Sequence, residues 1–481
     1  MSTIETKNWI AEEFVAIKSE GRVVHNPSDV TEEVGVMYYS NDQHVFEAEG
    51  AAKKAFKSWS KLPGPIRANY LFKMADALQK HIEELATLAS REMGKPITEM
   101  IGEVNRAIQL LRYYGAEGVR SDGSVIPSND VHVHQYTKRV ALGVVGIITP
   151  WNFPVAIPIW KIAPALICGN TVIWKPAEYA SLTATKIMEI FKEVQLPAGV
   201  LNLVNGKGSH IGNTLVEKTD LQAISFTGSS KIGSYIASIC AKRNIKYQTE
   251  MGGKNAAIVL SDANLDQAVP LIVSGAFRSA GQKCTATSRI IVEDAIFPDF
   301  LSRLKKAVSE INILHALNPH AYLGPVASKY QFDTVNHYVN LAKEQSEILV
   351  EGKISAETEG YFIKPLVVTG LDPKHALVQE EIFGPLAVIL KASNFDEAIQ
   401  LSNDSIYGLS ASLFTSDLSK AYHFLEESDA GMVRVNQETA GVEYQAPFGG
   451  MKQSSSHTRE QGQAALDFYT TIKTCAIKYS F

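Results

Sequence analysis

The chain has 481 residues, of which 45% are hydrophobic and 20% charged, with a formal net charge of −5. That length suits about two or three domains, each able to bury a sizeable core. There is no basic excess to mark nucleic acid or an anionic membrane surface as a partner, so neither is expected.

Residues 1–10 have no apolar core, which argues against a signal peptide. The first periodic stretches are helical. Val45, Ala48, Ala52, Ala55, Phe56 and Trp59 recur at helical spacing over residues 43–59, and Leu71, Met74, Ala75, Leu78, Ile82, Leu85 and Leu88 do the same over 66–91. Beyond residue 124 the period becomes two. Val131, Val133 and Gln135 alternate with His132, His134 and Tyr136, which predicts an exposed β-ribbon. The two histidines lack a third ligand, so they read as solvent-facing strand residues and no metal site is expected.

Residues 140–160 carry no charge and have about the length of a membrane span. Pro150, Asn152, Pro154 and Pro158 interrupt them, and proline breaks helical hydrogen bonding. A buried strand, a turn and a buried helix are expected instead. Strands are predicted at 144–148, 171–174, 200–204, 223–226 and 256–260. Helices are predicted between them at 156–167, 182–194, 211–216 and 232–240. This alternation implies βαβ units on a parallel sheet. Asp262 is the predicted N-cap of a helix at 265–277. A further α/β region runs to about residue 450, and a strand at 471–478 ends the pattern. The four cysteines, Cys168, Cys240, Cys284 and Cys475, form no CxxC pair. Neither a zinc site nor a disulfide framework is therefore expected, and a reducing, cytoplasmic setting is.

Several runs carry chemistry. Cys284 lies in Gly-Gln-Lys-Cys-Thr-Ala, where small neighbours leave room for an electrophile, and Glu250 lies in Glu-Met-Gly-Gly-Lys-Asn. A thiol and a carboxylate together suit covalent catalysis on a carbonyl. Asn152, polar in an apolar stretch, either caps local backbone or aims its amide at a developing oxyanion. Gly228, Ser229 and Gly233 follow a predicted strand and open a predicted helix. They form either a phosphate-binding turn or a plain strand-to-helix turn. Lys175 and Glu178 follow another strand end, either meeting ribose hydroxyls or forming a solvated loop.

The runs TPWNFP, WKPAE, FTGSSKIG, EMGGKN, GQKCTA, EEIFGP and PFGG occur in this order over nearly the whole chain. Together they resemble the aldehyde dehydrogenase superfamily. The resemblance implies an α/β fold with a Rossmann-type cofactor domain (1–123 and 143–252), an α/β catalytic domain (253–453) and a β-ribbon oligomerisation arm with tail (124–142 and 454–481). It implies NAD or NADP, an aldehyde substrate oxidised to its acid, and a homodimer or homotetramer. By position, Cys284 would be the nucleophile, Glu250 the general base, and Asn152 with the Cys284 N–H the oxyanion hole. Trp151, Lys175, Glu178, Gly228, Ser229, Gly233, Glu381 and Phe383 would contact the cofactor. Because Glu250 is present, hydrolysis is favoured over transfer to coenzyme A.

After PFGG the family pattern reads K-x-S-G-x-G-R-E, whereas this chain runs from Lys452 to Glu460 without glycine and with one residue more. This stretch, residues 440–447 and the helix carrying Trp160 resemble the branch that oxidises α-ketoglutaric semialdehyde (2,5-dioxopentanoate). Succinic semialdehyde and a broad aldehyde range are the alternatives, along with a non-catalytic protein on the same fold. A substrate carboxylate would want a cation. Arg278 is the candidate, with a surface salt bridge as its other reading.

Overall fold

The structure, a computed structural model, describes residues 4–120 and 122–480. Its framework is two seven-stranded sheets. In the first, Lys246–Glu250, Ala223–Thr227, Val144–Thr149, Thr171–Pro176 and Leu201–Leu203 lie side by side and parallel. The antiparallel strands Lys7–Ile10 and Glu13–Ala16 extend it at the Leu201–Leu203 edge. Counted along the chain, the parallel strands stand in the order 5-4-1-2-3, the doubly wound arrangement. The order reverses between Val144–Thr149 and Ala223–Thr227. Nearly every residue of these strands is buried, as expected of strands covered on both faces.

The second sheet runs Glu347–Glu351, Leu366–Thr369, Leu386–Ala392, Thr287–Glu293, Asn255–Val259, Ser410–Phe414, Met432–Val435, and only its first pair is antiparallel. A smaller antiparallel sheet pairs Thr470–Lys478 with Val133–Ala141 and Val125–Ile126. This is the ribbon that the alternation from Val131 to Tyr136 predicts. Among the described residues no helix is long and apolar enough to cross a membrane. Residues 140–160 form instead the strand Val144–Thr149, a turn, and the start of helix Ala156–Ile167.

Two local expectations are corrected. The stretch 66–91 is two helices, Gly64–Lys80 and Ile82–Met93, broken at His81, whose ring lies between the carboxylates of Glu84 and Glu193. The N-cap of Leu265–Phe277 is Asn264, which accepts from the Asp266 N–H at 3.1 Å. Asp262 is occupied elsewhere: it accepts from Thr415 Oγ1 and the Ser416 N–H and ties two loops together.

One buried ion pair sets the turn after Val144–Thr149. Lys95 Nζ meets Glu103 Oε2 at 2.6 Å, with both side chains 1% exposed. The other oxygen of Glu103 accepts from the N–H groups of Val155 and Ala156, at 2.8 and 3.0 Å. A carboxylate from helix Ile97–Glu117 thereby caps helix Ala156–Ile167, which has no side-chain cap of its own. Lys95 also donates to the Asn152 carbonyl at 2.6 Å and lies 3.7 Å from the Phe153 ring centroid. Changing Glu103→Ala leaves a buried ammonium without its counter-charge. Denaturant unfolding is expected to show a loss of about 3–5 kcal/mol; a loss under about 1 kcal/mol would contradict this role.

Candidate active site

The carboxyl ends of the parallel strands all open on one side of the first sheet, and the expected cofactor residues gather there. Thr227 pairs in register with Glu250, Phe226 with Ile148, and Thr149 with Pro176. Pro150, Trp151 and Asn152 leave one strand, and Thr227, Gly228 and Ser229 leave its neighbour. Together with Met251, Gly252, Gln331, Glu381, Phe383, Ile157 and Cys284 they line a cavity of about 220 Å³. It sits at the reversal of strand order, where open α/β sheets bind ligands.

Cys284 is delivered by a constrained turn. Helix Leu265–Phe277 ends in the short segment Arg278–Gly281, where Ser279 and Ala280 both have φ of 54° and Gly281 has 69°. A left-handed residue with a side chain costs about 1–2 kcal/mol. Glu99 holds the turn by accepting from Ser279 N and Oγ at 3.1 and 2.7 Å. A Cβ on Gly281 would stand 2.2 Å from the Gly384 carbonyl oxygen, so only glycine fits. Beyond the turn, Asn255 Nδ2 donates to the Cys284 carbonyl at 2.8 Å.

Asn152 is 4% exposed and donates from Nδ2 to the Gln282 carbonyl at 2.9 Å. One amide proton thus grips the nucleophile turn, and a second remains on the same nitrogen. Cys284 keeps partial access to solvent. Burial, followed by the charges of Glu381 and Glu250, pushes its thiol up to about 12. Burial also lifts Glu381 to about 7, against the Gly253 N–H that it accepts at 3.1 Å and the nearby charge of Lys254. A Cβ on Gly252 would lie 2.3 Å from Glu381 Oε2, so this glycine makes room for the carboxylate. Phe383, at φ 56°, meets the Trp151 ring edge-on at 5.6 Å.

Glu250 ends its strand with 2% exposure and lines neither this cavity nor the one described next. Burial and the charge of Glu460 hold its carboxyl well above the usual range. Ser455 Oγ donates to its Oε2 at 2.5 Å, and its Oε1 has no partner.

Lys175 and Glu178 follow the next strand along. Lys175 Nζ donates to the Pro176 carbonyl at 2.7 Å, and burial lowers it to about 8. Glu178 accepts from the Gly208 N–H at 3.3 Å. Gly208 and Gly212 lie beside Lys175: a Cβ on either would stand in ordinary contact with it, at 3.8 and 3.9 Å. Gly233 lies in the first turn of helix Ser230–Arg243. A Cβ there would meet Met251 Sδ at 2.4 Å, so the helix packs closely on the strand end. Thr227 Oγ1 is buried without a partner at the mouth of this turn. A helix N-terminus without a side-chain cap and an unpaired hydroxyl fit a dinucleotide.

Cys284 and Ile157 also line a second cavity of about 380 Å³, with Phe153, Ala156, Trp160, Val442, Phe448 and Arg106. The thiol therefore stands between two chambers. Trp160 is placed here as expected, tilted against Phe448 at 5.3 Å. Arg278 is not. It lines neither cavity, because the chain turns where its helix ends and the guanidinium lies over the Tyr322 ring, 4.8 Å from the centroid. The cation in this cavity is Arg106, which reading the sequence missed. Its Nη2 donates to the Val442 carbonyl and, at 3.3 Å, to Gln461 Oε1, and its guanidinium lies 5.4 Å from the Tyr444 centroid. The two acids of this cavity are already engaged, Glu99 with Ser279 and Glu103 with Lys95. The available signal was a run of charges, Glu99, Glu103 and Arg106, at one-turn spacing in a helix whose neighbouring positions are buried and apolar. Among the described residues no cluster could hold a metal ion.

The aldehyde dehydrogenase family model matches residues 14–475. The alpha-ketoglutaric semialdehyde dehydrogenase of Bacillus subtilis is 47% identical over 98% of each chain. The 2,5-dioxopentanoate dehydrogenase of Saccharolobus solfataricus is 37% identical over 97% of this chain and 98% of its own. A crystal structure of betaine aldehyde dehydrogenase from Staphylococcus aureus in complex with NAD+ superposes with a TM-score of 0.94 at 32% identity, covering 98% of this chain and 94% of that one. With its sequence matched almost end to end and its backbone shared with such a structure, the chain belongs to the aldehyde dehydrogenase family.

Proposed function

We propose that this aldehyde dehydrogenase oxidises α-ketoglutaric semialdehyde to 2-oxoglutarate with NAD or NADP. The observation that carries this reading is the position of Cys284 between a cavity at the strand-order reversal and an apolar cavity containing Arg106. The first chamber suits a dinucleotide. The second suits a short chain with an aldehyde at one end and a carboxylate at the other. The relatives named for this substrate support the same reading.

The cofactor would be held by Trp151, Lys175, Glu178, Gly228, Ser229, Gly233, Glu381 and Phe383, and when bound it supplies the hydride acceptor. Cys284 Sγ gives up its proton to solvent water and bonds to the aldehyde carbon. The carbonyl oxygen becomes an oxyanion held by the second Asn152 amide proton and the Cys284 N–H, a stabilisation worth about 10²–10³ in rate per donor. Loss of hydride from that carbon leaves a thioester. Glu250 then takes a proton from water, the hydroxide adds to the thioester carbon, and the C–S bond breaks to release the acid. Burial and the charge of Glu460 raise this carboxyl, which makes its ionised form a stronger base than an exposed glutamate. The Glu178 carboxylate would repel a 2′-phosphate, which favours NAD.

The sheets support a division into a cofactor domain (1–123 and 143–252), a catalytic domain (253–453), and an arm with tail (124–142 and 454–481). The arm exposes Val131 and Ile472, apolar residues suited to pairing copies into a homodimer or homotetramer. Four free cysteines fit a cytoplasmic setting.

Four outcomes check this reading. Arg106→Met should raise KM for carboxylate-bearing semialdehydes about tenfold or more and leave an uncharged aldehyde of equal length unaffected, whereas Arg278→Met should spare both. Equal kcat/KM for charged and uncharged aldehydes in the unaltered enzyme would remove the keto-acid assignment. Glu250→Gln should release one reduced cofactor per site in a burst and then stall as the thioester; steady turnover at the original rate would take Glu250 out of the role of base. Because a thiol pushed up to about 12 is protonated at neutral pH, alkylation of cofactor-free Cys284 by iodoacetamide should rise about tenfold per pH unit from 7 to 9. A plateau below pH 9 would contradict that environment.

A further inference from the structure

The loop that departs from the family pattern lies against the general base. Its residues join the edge of the first sheet, beside strand Lys246–Glu250. Met251 N donates to the Ser454 carbonyl at 2.8 Å and Ser456 N to the Thr249 carbonyl at 2.9 Å, while Ser456 Oγ accepts from Thr249 N at 2.9 Å. Glu250 and Ser455 thus face each other as a bridge pair. The bridge needs no glycine, because Ser454, Ser455 and Ser456 all lie outside the left-handed region. Where the family pattern has its first glycine, this chain has Ser455.

Ser455 Oγ has two partners. It accepts from the Gly450 N–H at 2.6 Å and donates to Glu250 Oε2 at 2.5 Å. The accepted bond occupies one lone pair and leaves the hydroxyl proton directed at the carboxylate. Gly450 belongs to PFGG, and its neighbour Gly449, at φ 151°, leaves 3.1 Å between Glu250 Oε1 and the place a Cβ would take. The carboxylate is thereby held out of both cavities beside Cys284.

We infer that Ser455 is a positioning residue for Glu250, turning the carboxylate away from the thiol and, by donating to Oε2, favouring its ionised form. This rests on Glu250 being the general base. Around the carboxylate stand Glu460, which opposes its ionisation, and Lys161 and Arg459, which favour it. Lys161 is engaged with Glu460 and with Ser225 Oγ, so it does not reach Glu250 by hydrogen bond. The charge of Glu250 also reaches the Cys284 thiol and opposes ionisation there. Among the described residues, Ser455 is the only hydrogen-bond donor to the Glu250 side chain.

The sign of the effect follows. A donor to a carboxylate favours the ionised form, so its loss makes Glu250 harder to ionise, and the acid limb of thioester hydrolysis moves to higher pH. The test is the decay of the acyl-enzyme, followed by quenched-flow mass measurement from pH 5 to 10, in Ser455→Ala, Ser455→Gly and Ser455→Thr. The Ala and Gly variants should show the limb displaced upward by about one pH unit, hence about tenfold slower decay at the acid end and little change at the alkaline end. The first-turnover burst should keep its rate, and Ser455→Thr should restore the original limb. A limb unmoved in both Ala and Gly, or displaced equally in Thr, overturns the proposal. If Glu250 were not the base, Glu250→Gln would keep the limb and the decay rate, which separates failure of that reading from failure of this one.

Discussion

The Lys95–Glu103 pair is the constraint on which the rest of the site depends. Each member of this ion pair, sealed from water, does a second job at the same place. Glu103 caps the helix after the first strand end, and Lys95 holds the Asn152 carbonyl. The Asn152 amide then reaches across to the nucleophile turn through the Gln282 carbonyl. A first-sheet strand end and a second-sheet loop are thus joined by the hydrogen bond that the Asn152 side chain donates. Helix Ile97–Glu117 is the spine of this arrangement. Glu99 pins the Ser279 turn, Glu103 pins the Asn152 segment, and Arg106 enters the cavity, all at the spacing of successive turns on one helix face.

Electrostatics around the thiol point one way. Cys284 stands near two buried carboxylates, Glu381 and Glu250, and all three groups are raised above their ordinary ranges. The negative charge of each carboxylate opposes ionisation of the thiol. A cationic ring entering the crevice would meet groups whose ionisation it favours.

Much of this was legible in the sequence, because motif runs at strand ends carry local information. The helices at 156–167 and 265–277 match prediction, and the strand ends put Trp151, Asn152, Gly228 and Glu250 on one side of the sheet. What escaped was set by tertiary contact. No proline or glycine marks the break at His81, and the apolar period runs through it; the flanking carboxylate of Glu193 comes from a distant part of the chain. Asp262 and Asn264 are both good cap residues two positions apart, and the loop contact with Thr415 decides between them. Arg278 was chosen for its nearness to Cys284 along the chain, but the cavity takes its cation from a helix far upstream, where Arg106 follows Glu103 on the inward face. Ser455 showed itself only as a departure from pattern, and its partner is visible only once the loop is laid along the sheet edge.

The two chambers share only Cys284 and Ile157 among their lining residues. Residues 150–160 contribute to both, Trp151 and Asn152 to the first and Phe153, Ala156 and Trp160 to the second. Arg106 and Val442 line the 380 Å³ chamber but not the strand-end crevice and so can change without it, unlike Glu99 and Glu103 in the same wall, which hold the Ser279 turn and the Asn152 segment. The turn holding the thiol has no such freedom, since its left-handed backbone and its close approach to Gly384 tolerate little substitution. A lineage built on this plan would diversify its substrates along the helix that carries Arg106 and the loop that carries Val442, while the chemistry stayed as it was.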